Sequence, residues 1–301
     1  MSPSDEITLA GDTYRAALTR SVRAGEVVKV RYGAYRARAD GEIGLTDHVL
    51  ALRRQLRDPV FSHETAAVLL GCSLWHRPER VHVMRPYRRS GHASRDVQWH
   101  LGTVPAEELL RLRGLEVTTL ARTVVDCALT SHPLQALVVA DSALRLDPPL
   151  DLTAAHHVLR RSRRRQGRAR ARWVLDHADG GSESPWETWT RYVCLRAGMP
   201  RPITQAPVRT RVRLYRCDLG WPEHGVYVEF DGRIKYARSG TAELLREKKR
   251  SDDLREAGVV PVRVLATQPS GVPRVVGAVA RRFPPEVAAR FRVNPVLPAP
   301  T

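Results

Sequence analysis

Asp218, Glu229 and Asp231 lie close together in the stretch Leu214-Tyr-Arg-Cys-Asp218-Leu-Gly-Trp-Pro-Glu-His-Gly225-Val-Tyr-Val-Glu229-Phe-Asp231-Gly232. The runs Arg213 to Leu219 and Val226 to Asp231 alternate at period two around a Pro/Gly-bearing turn, the pattern of an antiparallel hairpin. With the turn centred on the Glu223–His224 bond, Asp218 lies opposite Glu229, and Asp231 follows two residues on along the same face. Opposed carboxylates about 5 Å apart repel each other, so the pattern asks for a cation. Hard oxygen donors suit Mg²⁺ or Mn²⁺, and Val226, Val228 and Phe230 on the other face supply an apolar backing.

The rest of the chain must position and serve these acids. Its 301 residues suggest two or three domains. A net charge of +17 and a pI of about 10.7 point to a polyanionic partner, most simply nucleic acid. Of 49 basic residues only four are lysines, and Lys235, Lys248 and Lys249 fall within twenty residues of the hairpin. Lysine is a compact charge that can lose its proton, so this clustering favours chemistry. Cys72, Cys127, Cys194 and Cys217 are widely spaced without a CxxC pair, which fits reduced core thiols. There is no apolar run of about 20 residues and no secretion signal, so no membrane contact and a cytoplasmic location are expected.

The periodicities give an α/β multidomain chain. Residues 1–40 read as a winged-helix-like segment: Asp12 caps a helix from Thr13 to Ala24 with Leu18 and Val22 inward, and Val27–Val30 and Gly33–Arg36 form a wing. Arg15, Arg20 and Arg23, with Lys29 and Arg31, make it basic enough to contact DNA; the plainer reading is a small basic subdomain. Residues 45–150 read as an α/β middle domain, with helices from Asp47, Ser62, Leu120 and Leu134 and strands at Val81–Met84 and Val97–Leu101. His63, Asp126 and Asp141 there are better read as helix-face residues, the acids pairing with Arg122 or Arg145. Residues 151–180 read as a basic helical linker carrying eight arginines in thirteen positions, among them Arg163, Arg164 and Arg165. It suits a phosphate backbone, unless it is only a solvated face. Residues 183–285 read as an α-β-β-α-β domain, and 286–301 as a loose Pro-rich tail.

Residues 183 to 268 carry Ser184-Pro-Trp-Glu187, Arg201-Pro-Ile-Thr-Gln205, Asp218-Leu-Gly-Trp-Pro222, Val228-Glu-Phe-Asp-Gly232, Glu247-Lys-Lys-Arg250 and Val262-Arg-Val264. In order and spacing this domain resembles the very-short-patch-repair-type nucleases of the PD-(D/E)xK superfamily. The resemblance implies a restriction-endonuclease-like fold. It makes Asp218 the metal-bridging acid and Glu229 the second ligand, with the Phe230 carbonyl as a third, and it places Glu187 near the metal. Ser184 to Glu187 is equally an S-x-x-E capping box with proline at N1. The lysine usual two residues after the second acid is replaced by Asp231, which leaves Lys235, four residues further on, as the candidate for charge stabilisation. Lys248 and Arg250 are expected at phosphate.

The first 150 residues resemble the abortive-infection type IV antitoxin family through Gly25-Glu-Val-Val-Lys-Val-Arg-Tyr-Gly-Ala-Tyr35, Ser62-His-Glu-Thr-Ala-Ala67 and Ala121-Arg-Thr-Val-Val-Asp126. That resemblance implies DNA binding and transcriptional control, although too few residues precede Asp12 for the family's first helix. The expected function is a Mg²⁺- or Mn²⁺-dependent endonuclease on double-stranded DNA. A DNA-binding regulator or antitoxin-like protein with an inactive nuclease-like domain is the alternative, with a partner toxin or a homodimer as the protein partner. An RNA-directed nuclease is the third reading. Aromatics are sparse, which disfavours single-strand stacking.

Overall fold

A computed structural model describes residues 7–38, 42–87, 95–231, 241–265 and 271–300, the side chains of Arg15 and 241–244 excepted. The chain is mixed α/β and divides into two compact units, residues 1–71 with 76–126 and residues 72–75 with 127–301. The division falls near residue 126, not 150. The reason is the helix Pro133–Ala143, which is apolar on nearly every side and packs against the helices that follow it.

In the first unit, β1 (Ile7–Leu9), β2 (Val27–Arg31) and β3 (Ala34–Ala37) form an antiparallel sheet in the order β1-β3-β2, with α1 (Arg15–Arg23) between β1 and β2. Strand β1 was not expected. Asp12 is not the cap of α1; the N-cap is Tyr14, while Asp12 bonds Leu9 N and pairs with Arg54 at 2.8 Å. Val22 is exposed, so α1 rests on the sheet through Leu18 rather than through an i, i+4 pair.

Helix α2 (Leu45–Gln55) serves two cores in this unit. Ala51 packs with Ile7, Val30 and Ala34, whereas Val49 and Leu52 pack with Phe61, Val81, Val83, Val97, Leu115 and Val117. The second core lies on a five-stranded sheet of β4 (Val60–Phe61), β5 (Val81–Arg85), β6 (Val97–Leu101), β7 (Leu109–Leu112) and β8 (Leu115–Thr118), ordered β6-β5-β4-β8-β7. Only β5 and β6 were expected, since β4 is two residues long and β7 and β8 are four each. Helix α3 (His63–Leu69) follows β4, and α4 (Leu120–Thr130) follows β8. On α4, Arg122 binds Asp126 at 2.9 Å and Glu108 at 2.6 Å, the expected structural role for Asp126.

In the second unit the central helix is α5 (Pro133–Ala143). The basic stretch is a helix pair, α6 (Leu152–Arg161) and α7 (Arg168–His177), and Arg163, Arg164 and Arg165 occupy the exposed connection between them rather than a helix face. Helix α8 (Pro185–Arg196) leads into a four-stranded sheet, β12-β11-β10-β9, of β9 (Ile203–Arg209), β10 (Leu214–Trp221), β11 (Val226–Asp231) and β12 (Val262–Leu265). The domain is therefore α-β-β-β-α-β, because β9 joins the expected hairpin as an edge strand. Helix α9 (Thr241–Glu256) precedes β12, which runs parallel to β11. Helices α10 (Val272–Ala280) and α11 (Pro285–Ala288) complete the unit.

The C-terminal segment is not loose. Asn294 N donates to Arg196 O, Arg196 Nε to Leu297 O and Tyr192 Oη to Pro298 O, and Leu297 is buried. These donors satisfy the backbone carbonyls that a free tail would leave to water. All four cysteines are buried free thiols.

Gly220 shows how tightly the hairpin packs. A Cβ there would stand 2.5 Å from Ala206 Cβ and 2.9 Å from the Tyr227 ring. Gly220→Ala should therefore cost about 1–3 kcal/mol, read as a lower denaturant midpoint at unchanged m-value.

Candidate active site

The hairpin register is the expected one. Leu219, Gly220 and Trp221 pair with Val228, Tyr227 and Val226, so the next rung sets Asp218 against Glu229. The regular alternation is not kept. The β9–β10 ladder passes over the Asp218–Gln205 rung, where Gln205 has φ +49°. Cys217 lies in one core cluster with Tyr215, Ala206, Tyr227 and Leu254, and Gly220 faces Ala206 and Tyr227 as well. Positions three apart in a regular strand face opposite sides; here they share one, so the chain turns over at Asp218. Irregularities of this kind re-aim a side chain.

Asp218 Oδ2 accepts the Phe230 amide at 2.6 Å, across the hairpin. Its carboxyl is pushed up to about 6, first by burial and then by Glu187 and Glu229, against the Phe230 amide and Arg250. Glu187, in the first turn of α8, and Glu229, on β11, thus both act on the charge of Asp218 on β10. Trp186 of α8 stacks on Phe230 of β11, ring centroids 5.6 Å apart and 5° from parallel, which fixes helix against hairpin.

Glu187 fills its capping role too. Ser184 Oγ accepts the Glu187 amide at 3.2 Å and donates to Glu187 Oε1 at 2.8 Å; Oε2 accepts the Glu183 amide at 2.7 Å, one residue before the N-cap amide of a standard box. Burial raises its pKa, opposed by the Glu183 amide and Ser184.

The other expected residues disperse. Glu229 is ion-paired with Arg250, whose guanidinium also donates to Arg216 O at 2.7 Å. Arg250 is thus a counter-ion of the acids rather than a free phosphate ligand. Asp231 turns to Arg263 at 3.4 Å, and Arg263 also binds Glu247 at 2.6 Å. Lys248, Arg20 and Arg23 are exposed. Arg31 of β2 is held by Asp96 at 2.6 Å. Lys235 and the side chain of Arg15 lie outside the described residues. Asp141 pairs with Arg191 at 2.6 Å, whereas Arg145 reaches only its backbone oxygen. His63 meets His82 and His100, a grouping not foreseen; its one sequence signal is a histidine in each of two neighbouring strands.

The carboxylates already meet protein donors: Glu187 the Ser184 hydroxyl and the Glu183 amide, Asp218 the Phe230 amide and Glu229 the Arg250 guanidinium. Burial and the neighbouring Glu187 and Glu229 charges raise Asp218. A hard divalent cation would be held by Asp218 and Glu229 with some of these bonds exchanged.

Fold and site define a mixed α/β protein of two units with an acidic cluster in the second. No family model matches the chain. It is 30% identical over 255 residues to two uncharacterized Mycobacterium tuberculosis proteins, MT2308 of strain CDC 1551 / Oshkosh and Rv2248 of strain ATCC 25618 / H37Rv, covering 83% of this chain and 90% of each relative. The chain belongs to the family of these uncharacterized proteins. A crystal structure of the RV2827C protein from Mycobacterium tuberculosis is similar at a TM-score of 0.40 and 17% identity, over 66% of this chain and 78% of that one. No helix among the described residues is long and apolar enough to cross a membrane.

Proposed function

We propose that the second unit is a Mg²⁺- or Mn²⁺-dependent endonuclease acting on double-stranded DNA in the cytoplasm, within a restriction-endonuclease-like fold. The observation that carries the reading is Asp218 set against Glu229 across the hairpin and raised to about 6 by burial and by the Glu187 and Glu229 charges. A bound divalent cation supplies polarisation of the scissile phosphate and a more acidic water. Asp218 and Glu229 are its ligands and Glu187 borders it. Arg250 balances the charge of Glu229.

The basic surfaces hold the duplex. Arg163, Arg164 and Arg165 project from the α6–α7 connection, and α1 with the β2–β3 wing makes a second, winged-helix-like contact through Arg20 and Arg23. Changing Arg163, Arg164 and Arg165 together to Ser should flatten the slope of log K against log salt by up to about 0.9 for each phosphate that is no longer neutralised. An unchanged slope, measured by fluorescence anisotropy on a duplex, would return the segment to a solvated surface.

A second reading has its own observation. Arg250 and Arg263 already neutralise Glu229 and Asp231, as expected of a DNA-binding, antitoxin-like regulator whose nuclease-like domain only binds. Incubation of plasmid, linear and single-stranded DNA with Mg²⁺, Mn²⁺ or EDTA separates the two. Metal-dependent cutting supports the nuclease. Salt-sensitive duplex binding without cutting supports the regulator.

A further inference from the structure

We propose that His63, His82 and His100 in the first unit form a binding site for one transition-metal ion of the Zn²⁺ class, with the Glu64 carboxylate as a further donor. The site is separate in residues and in donor chemistry from the carboxylate cluster. One nitrogen of each imidazole lies within 4.8 Å of the others. Zn–N bonds of about 2.0–2.1 Å in tetrahedral geometry separate ligand nitrogens by roughly 3.3 Å. Closing the difference takes shifts on the order of 1 Å at the nitrogens and a turn of the His63 ring off its stack on His100, because a metal lies in the plane of each imidazole it binds.

The fold brings the three together from distant parts of the chain. On the parallel pair β5–β6, His82 is level with Gln98 and Met84 with His100, so the two histidines are two rungs apart on one face. His82 and His100 meet Nδ1 to Nε2 at 3.0 Å. His63 enters from the end of β4, where Ser62 N donates to His82 O, and its ring stacks on His100 with centroids 3.5 Å apart. It holds this place at φ +52°, a left-handed conformation that is unfavourable outside glycine and collects at functional positions.

Ser62 Oγ lies 2.9 Å from His63 Nδ1, and with Nδ1 donating to it Nε2 keeps the lone pair a metal takes. Glu64 Oε2 lies 3.0 Å from His82 Nδ1, the same nitrogen that meets His100, so this carboxylate is a further donor at the edge of the cluster. Burial first, then the His100, His82 and Arg122 charges, hold His63 well below its ordinary pKa against the pull of Glu64. Imidazole nitrogen is the donor that Zn²⁺ and Co²⁺ take. His82 and Glu64 keep 17% and 21% of their side-chain surface, which gives an ion access.

The test uses the full chain, stripped with a chelator and dialysed. Calorimetric titration with Zn²⁺ should show one tight equivalent per chain that a large excess of Mg²⁺ does not displace. Co²⁺ should give the intense visible bands of a tetrahedral or five-coordinate nitrogen site. His100→Gln should abolish both signals, and Glu64→Gln should weaken Zn²⁺ affinity about 10–100-fold, each with unchanged circular dichroism. If His100→Gln does not fold, the Co²⁺ spectrum of the wild type decides alone. The weak bands of octahedral oxygen coordination, or no uptake of either metal, overturn the proposal, as does unaltered Zn²⁺ affinity in folded His100→Gln.

Discussion

Asp218→Asn should lower metal-dependent cleavage by about 10³-fold or more and at the same time make the protein more stable at neutral pH. The first effect follows from losing the charge that holds the cation, worth several kcal/mol of transition-state stabilisation. The second follows from the carboxyl's position. Its folded pKa of about 6 lies above its ordinary value of 3.8, so the folded state keeps a proton that the unfolded chain has lost. The charged form therefore carries a penalty that grows as pH rises from about 4 to 6 and is complete above that. Asparagine removes it, a gain on the order of 2 kcal/mol at pH 7–8 and none near pH 4, while its side-chain oxygen still accepts the Phe230 amide. Denaturant unfolding at pH 4 and pH 8 reads the gain, and plasmid cleavage reads the loss. An exposed acid kept for an ordinary salt bridge would behave oppositely, losing stability on neutralisation. Cleavage at the wild-type rate in Asp218→Asn would remove the site assignment.

The same carboxyl sets an expectation for pH. Cleavage and Mg²⁺ affinity should both rise as pH passes upward through about 6, where Asp218 loses its proton. A flat profile between pH 5 and 7 would place the metal elsewhere.

What was legible in advance depended on the range of the interaction. The hairpin and its register follow from alternation and turn chemistry, both local, and Pro222 to Gly225 does turn the chain, with Gly225 at φ +63°. The reversal of faces at Asp218 was hidden because it arises with Gln205 on another strand. Strand β9 was hidden by Pro207, which lacks a donor but is tolerated on an edge strand. The Pro-rich end suggested a loose tail, yet its carbonyls meet donors about 100 residues earlier, at Tyr192 and Arg196. Counter-ions were least legible of all. Arg250 lies 21 residues from Glu229 and Arg191 lies 50 from Asp141, and one basic residue among 49 cannot be picked out by spacing. The histidine cluster escaped for the same reason, since pairing of β5 with β6 creates it.

Arg191→Met should be the most damaging substitution in the second unit, costing about 3–5 kcal/mol. Arg191 of α8 is wholly buried and donates to Asp141 Oδ2 of α5 at 2.6 Å, to His177 O at 2.6 Å and to Ser182 Oγ at 3.3 Å. Asp141 in turn accepts the Asp179 amide at 2.8 Å and the Thr188 hydroxyl at 2.7 Å. Helix α5, the end of α7, α8 and the turn that joins α7 to α8 are tied at one point, next to Glu187. Burial raises Asp141's pKa, with Arg191 pulling it down, so removing Arg191 raises it further. The folded variant then prefers a neutral Asp141. Its defect should be greatest at neutral pH and should shrink as pH falls toward the ordinary carboxylate range. The double variant Arg191→Met/Asp141→Asn removes the stranded charge while keeping an acceptor for the Asp179 amide and offering its NH₂ to the Thr188 hydroxyl, and should recover at least half of the loss. A double-mutant cycle by urea unfolding would then give a coupling energy of about 2–3 kcal/mol. Single variants within about 1 kcal/mol of wild type would mean that hydrophobic packing of α5 on α8 holds the first turn of α8 in place without the ion pair. A costly single variant with a recovered double variant would make this pair the anchor that keeps Glu187 beside Asp218.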